Sequence, residues 1–200
     1  THAANAAAAD LGLYYQNKLN IDLPSEYAFG LQISNLGTKI SYSDNMESSF
    51  LPANLRLGGR YTMDFDQFNN LSLMVDLNKL LVPTPPVYNE DGSIYAGMDP
   101  NVGILQGAIQ SFYDAPNGLK EEMQEISLSV GAEYWYNKVL AVRAGYFYEA
   151  KNKGARQYLT VGAGLRYNVM GLDISYLIST SALSNNPLKN TLRIALTFDL

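Results

Sequence analysis

The sequence predicts an all-β fold, a transmembrane antiparallel β-barrel, from three observations. Apolar and polar residues alternate with a period of two along most of the 200-residue chain, which is the pattern of strands with two unlike faces. Charged residues make up only 16% of the chain, against roughly 25% in a typical soluble domain. No run of apolar residues approaches the roughly 18 that a membrane helix needs, so strands would have to do the crossing.

Nine segments carry the alternation expected of a strand. The clearest example is residues 157–169, in which Leu159 and Val161 lie on one face while Thr160 and Gly162 lie on the other. The nine expected strands cover residues 10–16, 27–34, 55–65, 71–78, 125–136, 140–149, 157–169, 172–179 and 192–200.

A soluble β-sandwich also alternates, with its apolar face as the core and its polar face as the surface. The barrel is favoured because the apolar-face positions of these nine segments carry no charge, whereas the other face mixes small residues with both signs of charge, as a wet or ion-paired lumen does. Carboxylates on that face, such as Glu133 and Asp173, have arginines available, so we expect structural ion pairs there. Aromatic residues of the apolar face gather near strand ends, as at a membrane–water interface: Tyr15, Tyr27, Phe29, Phe65, Tyr134, Tyr136, Tyr167 and Phe198.

The connections between strands alternate in length, which predicts an orientation in the membrane. Outer-membrane barrels have short periplasmic turns and long outer loops. Residues 66–70, 137–138 and 168–171 form short connections, and 17–25 falls with them. The long connections are 35–54, 79–124, 150–156 and 180–190. With the last strand running inward, the first strand begins outside. A complete barrel begins inside with an even strand number, so we expect residues 1–200 to be the C-terminal part of one longer barrel domain.

Residues 79–124 are too long for a passive connection. The prolines of 83–86 favour a stiff, extended path. Asp99 and Pro100 resemble an N-cap and a first helical residue, which predicts a short helix at about 100–113. Its apolar stripe of Val102, Leu105 and Ile109 leaves two interpretations open: a loop folded back to plug or rim the barrel, or a docking surface for a protein partner. Residues 89–92 suggest a turn rather than a calcium loop, because the spaced ligands are missing.

Catalytic chemistry is not indicated. The only histidine is His2, cysteine is absent, and neither a phosphate-binding loop nor a metal-ligand cluster is recognisable, so we expect no enzyme, no cofactor and no metal. The net charge of -5 also argues against a nucleic-acid partner.

Three segments carry a family resemblance: AFGLQISNLGTKISYSD, FLPANLRLGGRYTMDFDQFNNLSLMVDLNKLLVPTPP and the closing NTLRIALTFDL. They resemble the PorV family of outer-membrane proteins, which belongs to the type IX secretion system of Bacteroidota, and DLNKLLVPTPP is the most specific part. The family is FadL-like, with fourteen strands. The resemblance therefore implies that five further strands precede the nine found here.

The resemblance also implies a function. PorV-like proteins bind the C-terminal signal domain of secreted cargo at their outer loops, collect it at the SprA/Sov translocon and deliver it to a PorU-type attachment complex, in contact with outer-membrane lipid and lipopolysaccharide. A FadL-like pore for hydrophobic small molecules is the alternative, and an enzyme acting on lipid A is disfavoured by the lack of a usable histidine. The binding role maps onto the long loop at Pro83, Thr84, Pro85, Pro86, Val87, Tyr88, Ile104, Leu105 and Ile109.

Overall fold

The computed structural model describes residues 4–41, 48–181 and 189–199. Nine long strands form one antiparallel sheet in the order β1-β2-β3-β4-β7-β8-β9-β10-β11, while β5 and β6 form a separate two-stranded hairpin. The elements are β1 (Ala8–Leu19), β2 (Ser25–Gly37), β3 (Asn54–Asp64), β4 (Asn69–Leu80), β5 (Val87–Tyr88), β6 (Ile94–Ala96), α1 (Ile104–Gln110), α2 (Leu119–Gln124), β7 (Ile126–Tyr136), β8 (Leu140–Tyr148), β9 (Gln157–Tyr167), β10 (Met170–Ser179) and β11 (Leu192–Phe198).

The all-β prediction and the nine predicted strands are confirmed. As described, the sheet is open, with β1 and β11 at its two edges. The expectations for His2 and Leu200, and parts of the long connections at 35–54 and 180–190, lie outside the described residues. Neither described helix is long and apolar enough to cross a membrane.

The two faces of the sheet stay in register from strand to strand. On the apolar face, one cross-strand row runs Tyr134–Val142–Ala163–Ile174–Ile194 through five neighbouring strands. A register slip of one residue would move every one of these side chains to the polar face. The pairing is therefore the one that keeps a continuous apolar surface.

The apolar face is exposed on every strand of the sheet. Its side chains include Leu13 at 65% and Ile194 at 64% exposure, whereas the buried hydrophobic residues among those described are mostly alanines. A β-sandwich would have buried this face as its core. These exposed side chains need an apolar solvent. The following residues give one example from each of the nine strands, in chain order: Leu13, Phe29, Leu57, Val75, Val130, Val142, Val161, Ile174 and Ile194.

The short turns have compact geometries. Asn137 and Lys138 both adopt positive φ, 52° and 54°, as a two-residue hairpin turn requires, and the Val139 N–H donates to the Tyr136 carbonyl at 3.0 Å. In the β3–β4 turn, the Asp66 carboxylate accepts the Phe68 N–H at 2.7 Å. Hydrogen bonds from the Asn69 side chain and the Phe68 amide hold the pKa of Asp66 below its usual value.

Two compact units divide the chain. Unit 1 comprises Thr1–Leu13, Leu31–Leu57 and Asn78–Ile126, and it contains the long connection between β4 and β7. Unit 2 comprises Tyr14–Gly30, Gly58–Leu77 and Ser127–Leu200. Unit 2 carries the short turns and the aromatic residues predicted to form an interfacial belt. Six of these residues are more than half exposed: Tyr15, Phe29, Phe65, Tyr136, Tyr167 and Phe198.

Candidate partner-binding site

The long connection between β4 and β7 is a folded segment. It contains the β5–β6 hairpin followed by α1 and α2. The turn predicted at residues 89–92 is confirmed: it closes the hairpin through the Asn89 N–H to Ser93 carbonyl bond of 2.8 Å. The Asp91 carboxylate accepts both the N–H and the hydroxyl of Ser93, which lowers the pKa of Asp91.

The helix expected at about 100–113 is shorter, at Ile104–Gln110, and the predicted Asp99 N-cap is wrong. Gly103 is the N-cap residue. The Asp99 carboxylate instead accepts the Asn101 N–H at 2.8 Å, so it closes a local turn ahead of the helix. Because that turn occupies Pro100 and the residues after it, the helical conformation starts only after Gly103.

A buried polar network holds the loop together. The Lys79 ammonium lies 3.1 Å from Glu122 and 2.7 Å from Glu125, and all three side chains are at most 12% exposed. Glu125 also accepts the Thr84 hydroxyl at 2.7 Å, while Glu122 accepts the Ala115 N–H at 2.8 Å. Buried charges are tolerated only when they are paired and hydrogen-bonded, so these contacts specify where α2 lies relative to the end of β4.

Asp114 completes the network. Its side chain is 1% exposed, and Oδ2 accepts the Thr84 N–H at 3.0 Å. Among the described residues, Oδ1 is buried without a hydrogen-bond partner. Burial, followed by the nearby charge of Glu122, raises the pKa of Asp114 despite the hydrogen bonds from Thr84. This carboxylate therefore ties the proline-rich segment to the region after α1 at an electrostatic cost.

Close packing fixes α1 against Phe50 of the β2–β3 connection and against Pro83 of the long loop. A Cβ added at Gly107 would lie 2.8 Å from the Phe50 ring and 3.1 Å from Pro83. Glycine costs about 1 kcal/mol in a helix interior relative to alanine, and here the close approach explains its presence. Phe50 in turn lies under the Lys39 ammonium, 4.3 Å from the ring centre.

The nine predicted contact residues divide by exposure. Exposed positions are Pro85, Val87, Tyr88, Leu105 and Ile109, and Ile104 is half-buried. By contrast, the chain buries Pro83, Thr84 and Pro86 within the loop.

Sequence reasoning missed other apolar side chains that the loop exposes. Two of them, Leu119 and Met123, stand one helical turn apart on α2, a spacing that is visible in the sequence. The hairpin residue Tyr95 carried no such signal. The missed residues are Ile94, Tyr95, Met98, Phe112, Tyr113, Leu119 and Met123.

The polar face of the sheet in unit 2 is ion-paired, as predicted for Glu133 and Asp173. Arg143 bonds to Glu133 and lies 2.6 Å from Asp173, whose other oxygen is 2.7 Å from Arg166. Trp135 lies 5.4 Å from both guanidinium groups. Within the described part of the chain, no cluster of three or more acidic, histidine or cysteine residues is arranged to hold a metal ion.

A small cleft of about 240 Å³ lies among the residues of β2, β3 and β4 in unit 2. Glycines make the space: a Cβ at Gly58 would lie 2.5 Å from the Asp76 carboxylate. Arg60, which is also in its lining, pairs with Glu26 at 2.7 Å. The cleft is thus bordered by charged groups.

An antiparallel sheet with an exposed apolar face, an ion-paired polar face and exposed aromatic rings near strand ends is typical of a membrane-embedded β-sheet protein. The comparison with known families points to a particular family. Residues 1–87 match the family model described as the type IX secretion system protein PorV. This match covers 87 of the 200 residues and supports the resemblance to the PorV family seen in the sequence.

The match supports a role in the type IX secretion system, and the β-rich fold fits the outer-membrane location that this family suggests. PorV is not a known enzyme family. A search of curated proteins gives no match.

Proposed function

We propose that this chain is a non-enzymatic outer-membrane shuttle of the type IX secretion system. In this proposal its long loop faces the cell surface and binds the C-terminal signal domain of cargo. The chain collects cargo at the SprA/Sov translocon and delivers it to a PorU-type attachment complex. The observation that carries the proposal is the exposure of Leu105 and Ile109, at 68% and 63%, on a loop that buried ion pairs hold in shape.

Rigid presentation of apolar side chains suits protein recognition. An exposed apolar side chain gains stability when a partner covers it, and a preorganised surface loses less conformational entropy on binding. Leu105 and Ile109 stand one turn apart on α1, while Gly107 and Gln110 on the same helix are buried. The helix is therefore anchored on one side and available on the other.

The hairpin offers a second contact region. Val87 and Tyr88 are 48% and 54% exposed beside the buried Pro86. Tyrosine combines a large rigid ring with a hydrogen-bonding hydroxyl, which makes it common in protein interfaces. Of the predicted contact residues, we assign cargo binding to these two together with Pro85, Leu105 and Ile109.

A pore for hydrophobic small molecules is the alternative function, and the polar face gives it little support. An apolar solute would have to pass charged pairs such as Arg143–Asp173, and the cleft in unit 2 is bordered by Arg60 and Asp76. Apolar ligand sites are instead lined mainly by hydrophobic side chains.

Replacing both Leu105 and Ile109 with serine in the full-length protein tests the proposal. The buried network does not involve either side chain, so the loop should stay folded. Deleting the loop would instead strip Lys79 of Glu122 and Glu125. The shuttle predicts that cargo accumulates in the periplasm while the variant reaches the outer membrane at normal levels.

Val169→Ser provides the matched control, because Val169 is an apolar residue of the β9–β10 turn with 49% exposure. It should secrete cargo normally. Normal secretion by the Leu105/Ile109 variant, together with impaired uptake of hydrophobic compounds, would refute the shuttle and support the pore.

A further inference from the structure

The loop packs on the apolar side of the sheet in unit 1. Alternate residues of a strand share a face, so Lys79 lies on the same face as Leu77 in β4. At this end of the sheet, residues of the apolar face are covered: Ala53 and Lys79 are each 5% exposed, and Leu81, which continues the pattern, is 6% exposed.

Residues of the opposite face in unit 1 remain open. Leu80 is 46% exposed, and Pro52 and Arg56 are also exposed. The Leu81 N–H donates to the Ala53 carbonyl at 2.8 Å, so the two chain segments still run side by side here. The loop therefore covers the apolar face here, whereas these three residues of the opposite face stay exposed.

Lys79 is covered by α2 with its C-cap residue and by the segment just after α1. Glu122 and Glu125 contact its ammonium, and the Phe112 ring centre lies 5.6 Å from it. A lysine on the apolar face would otherwise project towards lipid, which is costly for a charged group. α2 thus lies on the same side as the residues that need an apolar solvent.

Leu119 and Met123 extend that apolar side beyond the strands. They are 76% and 67% exposed and form one stripe of α2. At about 100° per residue, this stripe stands roughly a third of a turn from the face that carries Glu122 and Glu125. Lys120, which is exposed, lies on a different side of the helix.

We propose that Leu119 and Met123 are immersed in membrane lipid at the long-loop end of the sheet. The occupant is lipid because this stripe continues the exposed apolar surface of the strands, which includes Leu57 in the same unit. An amphipathic helix with an apolar stripe and a charged side lies at the boundary between headgroups and acyl chains. The inference depends on the outer-membrane location and not on cargo binding.

Depth-dependent fluorescence quenching tests the proposal on the full-length protein. Residues 1–200 contain no cysteine, so Leu119→Cys and Met123→Cys each add one labelling site to this part of the protein. Each variant carries an environment-sensitive dye and is reconstituted in phosphatidylcholine nanodiscs, with or without bromine on the acyl chains. Leu57→Cys is the lipid-facing reference, and Tyr95→Cys, on the hairpin, is the water-facing reference.

Immersion in lipid predicts that brominated chains quench the dye at positions 119 and 123 to an extent close to that at 57, while aqueous iodide quenches mainly the dye at 95. Strong iodide quenching at both 119 and 123, with no effect of bromine, would overturn the proposal. Cargo binding at Leu105 and Ile109 would stand in either case. Heat-modifiable migration in gels identifies any variant that fails to assemble, and the second cysteine position then gives the answer.

Discussion

Replacing Lys79 with methionine removes a buried ammonium but keeps most of the apolar stem. Glu122 and Glu125 then lose the cation that lies 3.1 Å and 2.7 Å from them. Breaking a buried ion pair costs about 3–5 kcal/mol, because the remaining charge stays unpaired. Glu122 keeps its hydrogen bond from the Ala115 N–H, and Glu125 keeps its hydrogen bond from the Thr84 hydroxyl. We therefore expect the free-energy cost of Lys79→Met to lie near the lower end of this range. About 3 kcal/mol corresponds to a roughly hundredfold increase in the fraction of open loop.

Hydrogen exchange in lipid nanodiscs measures this opening. The backbone amides of Thr84 and Ala115 are suitable reporters, because each donates to a carboxylate of the network. Both should exchange much faster in Lys79→Met. Lys120→Met is the matched control, since Lys120 is an exposed lysine of the same loop and should change loop stability by less than about 0.5 kcal/mol. Equal exchange in the two variants would refute the structural role of the ion pairs.

Two further predictions concern the same loop. The raised pKa of Asp114 means that the folded loop disfavours the charged form of this carboxyl group. The resulting loss of loop stability is absent below the usual pKa of about 3.9, grows as the pH rises and is complete above the raised pKa. Once the intrinsic pH dependence of amide exchange is divided out, protection of the loop should therefore increase as the pH falls below the raised pKa towards about 3.9, and Asp114→Asn should largely abolish this increase; the same corrected pH response in both proteins would exclude Asp114 as its source. Gly107→Ala should destabilise the loop by about 1–3 kcal/mol despite the better helix propensity, because its Cβ would meet the Phe50 ring at 2.8 Å. Limited proteolysis compares it with Gly103→Ala, where a Cβ meets open space, and equal cleavage of both would contradict the packing argument.

The strands were predictable because the alternation of apolar and polar residues is a local property of the sequence. The aligned row from Tyr134 to Ile194 follows directly from it. The hairpin was not predictable in this way, since β5 and β6 have two and three residues and cannot show a period. The helix start was misplaced because Asp99 is suited both to capping a helix and to closing a local turn.

The site was predictable only in part. Leu105 and Ile109 carry helical spacing, and both are exposed. Local sequence does not indicate that Pro83 is buried, because its burial depends on packing against Gly107. Nor does it reveal the pairing of Lys79 with Glu122, which are 43 residues apart and meet only when the loop folds.

The central claim is that the long loop of this outer-membrane protein receives cargo. Photo-cross-linking in living cells tests it most directly, with a photoreactive amino acid placed at Ile109 in one strain and at Val169 in another. The two positions are 63% and 49% exposed and belong to a long and a short connection. The account predicts a covalent product between position 109 and a cargo signal domain, and no such product from position 169. Absence of that product from position 109, in a strain whose protein reaches the outer membrane and whose cargo is being secreted, would contradict it.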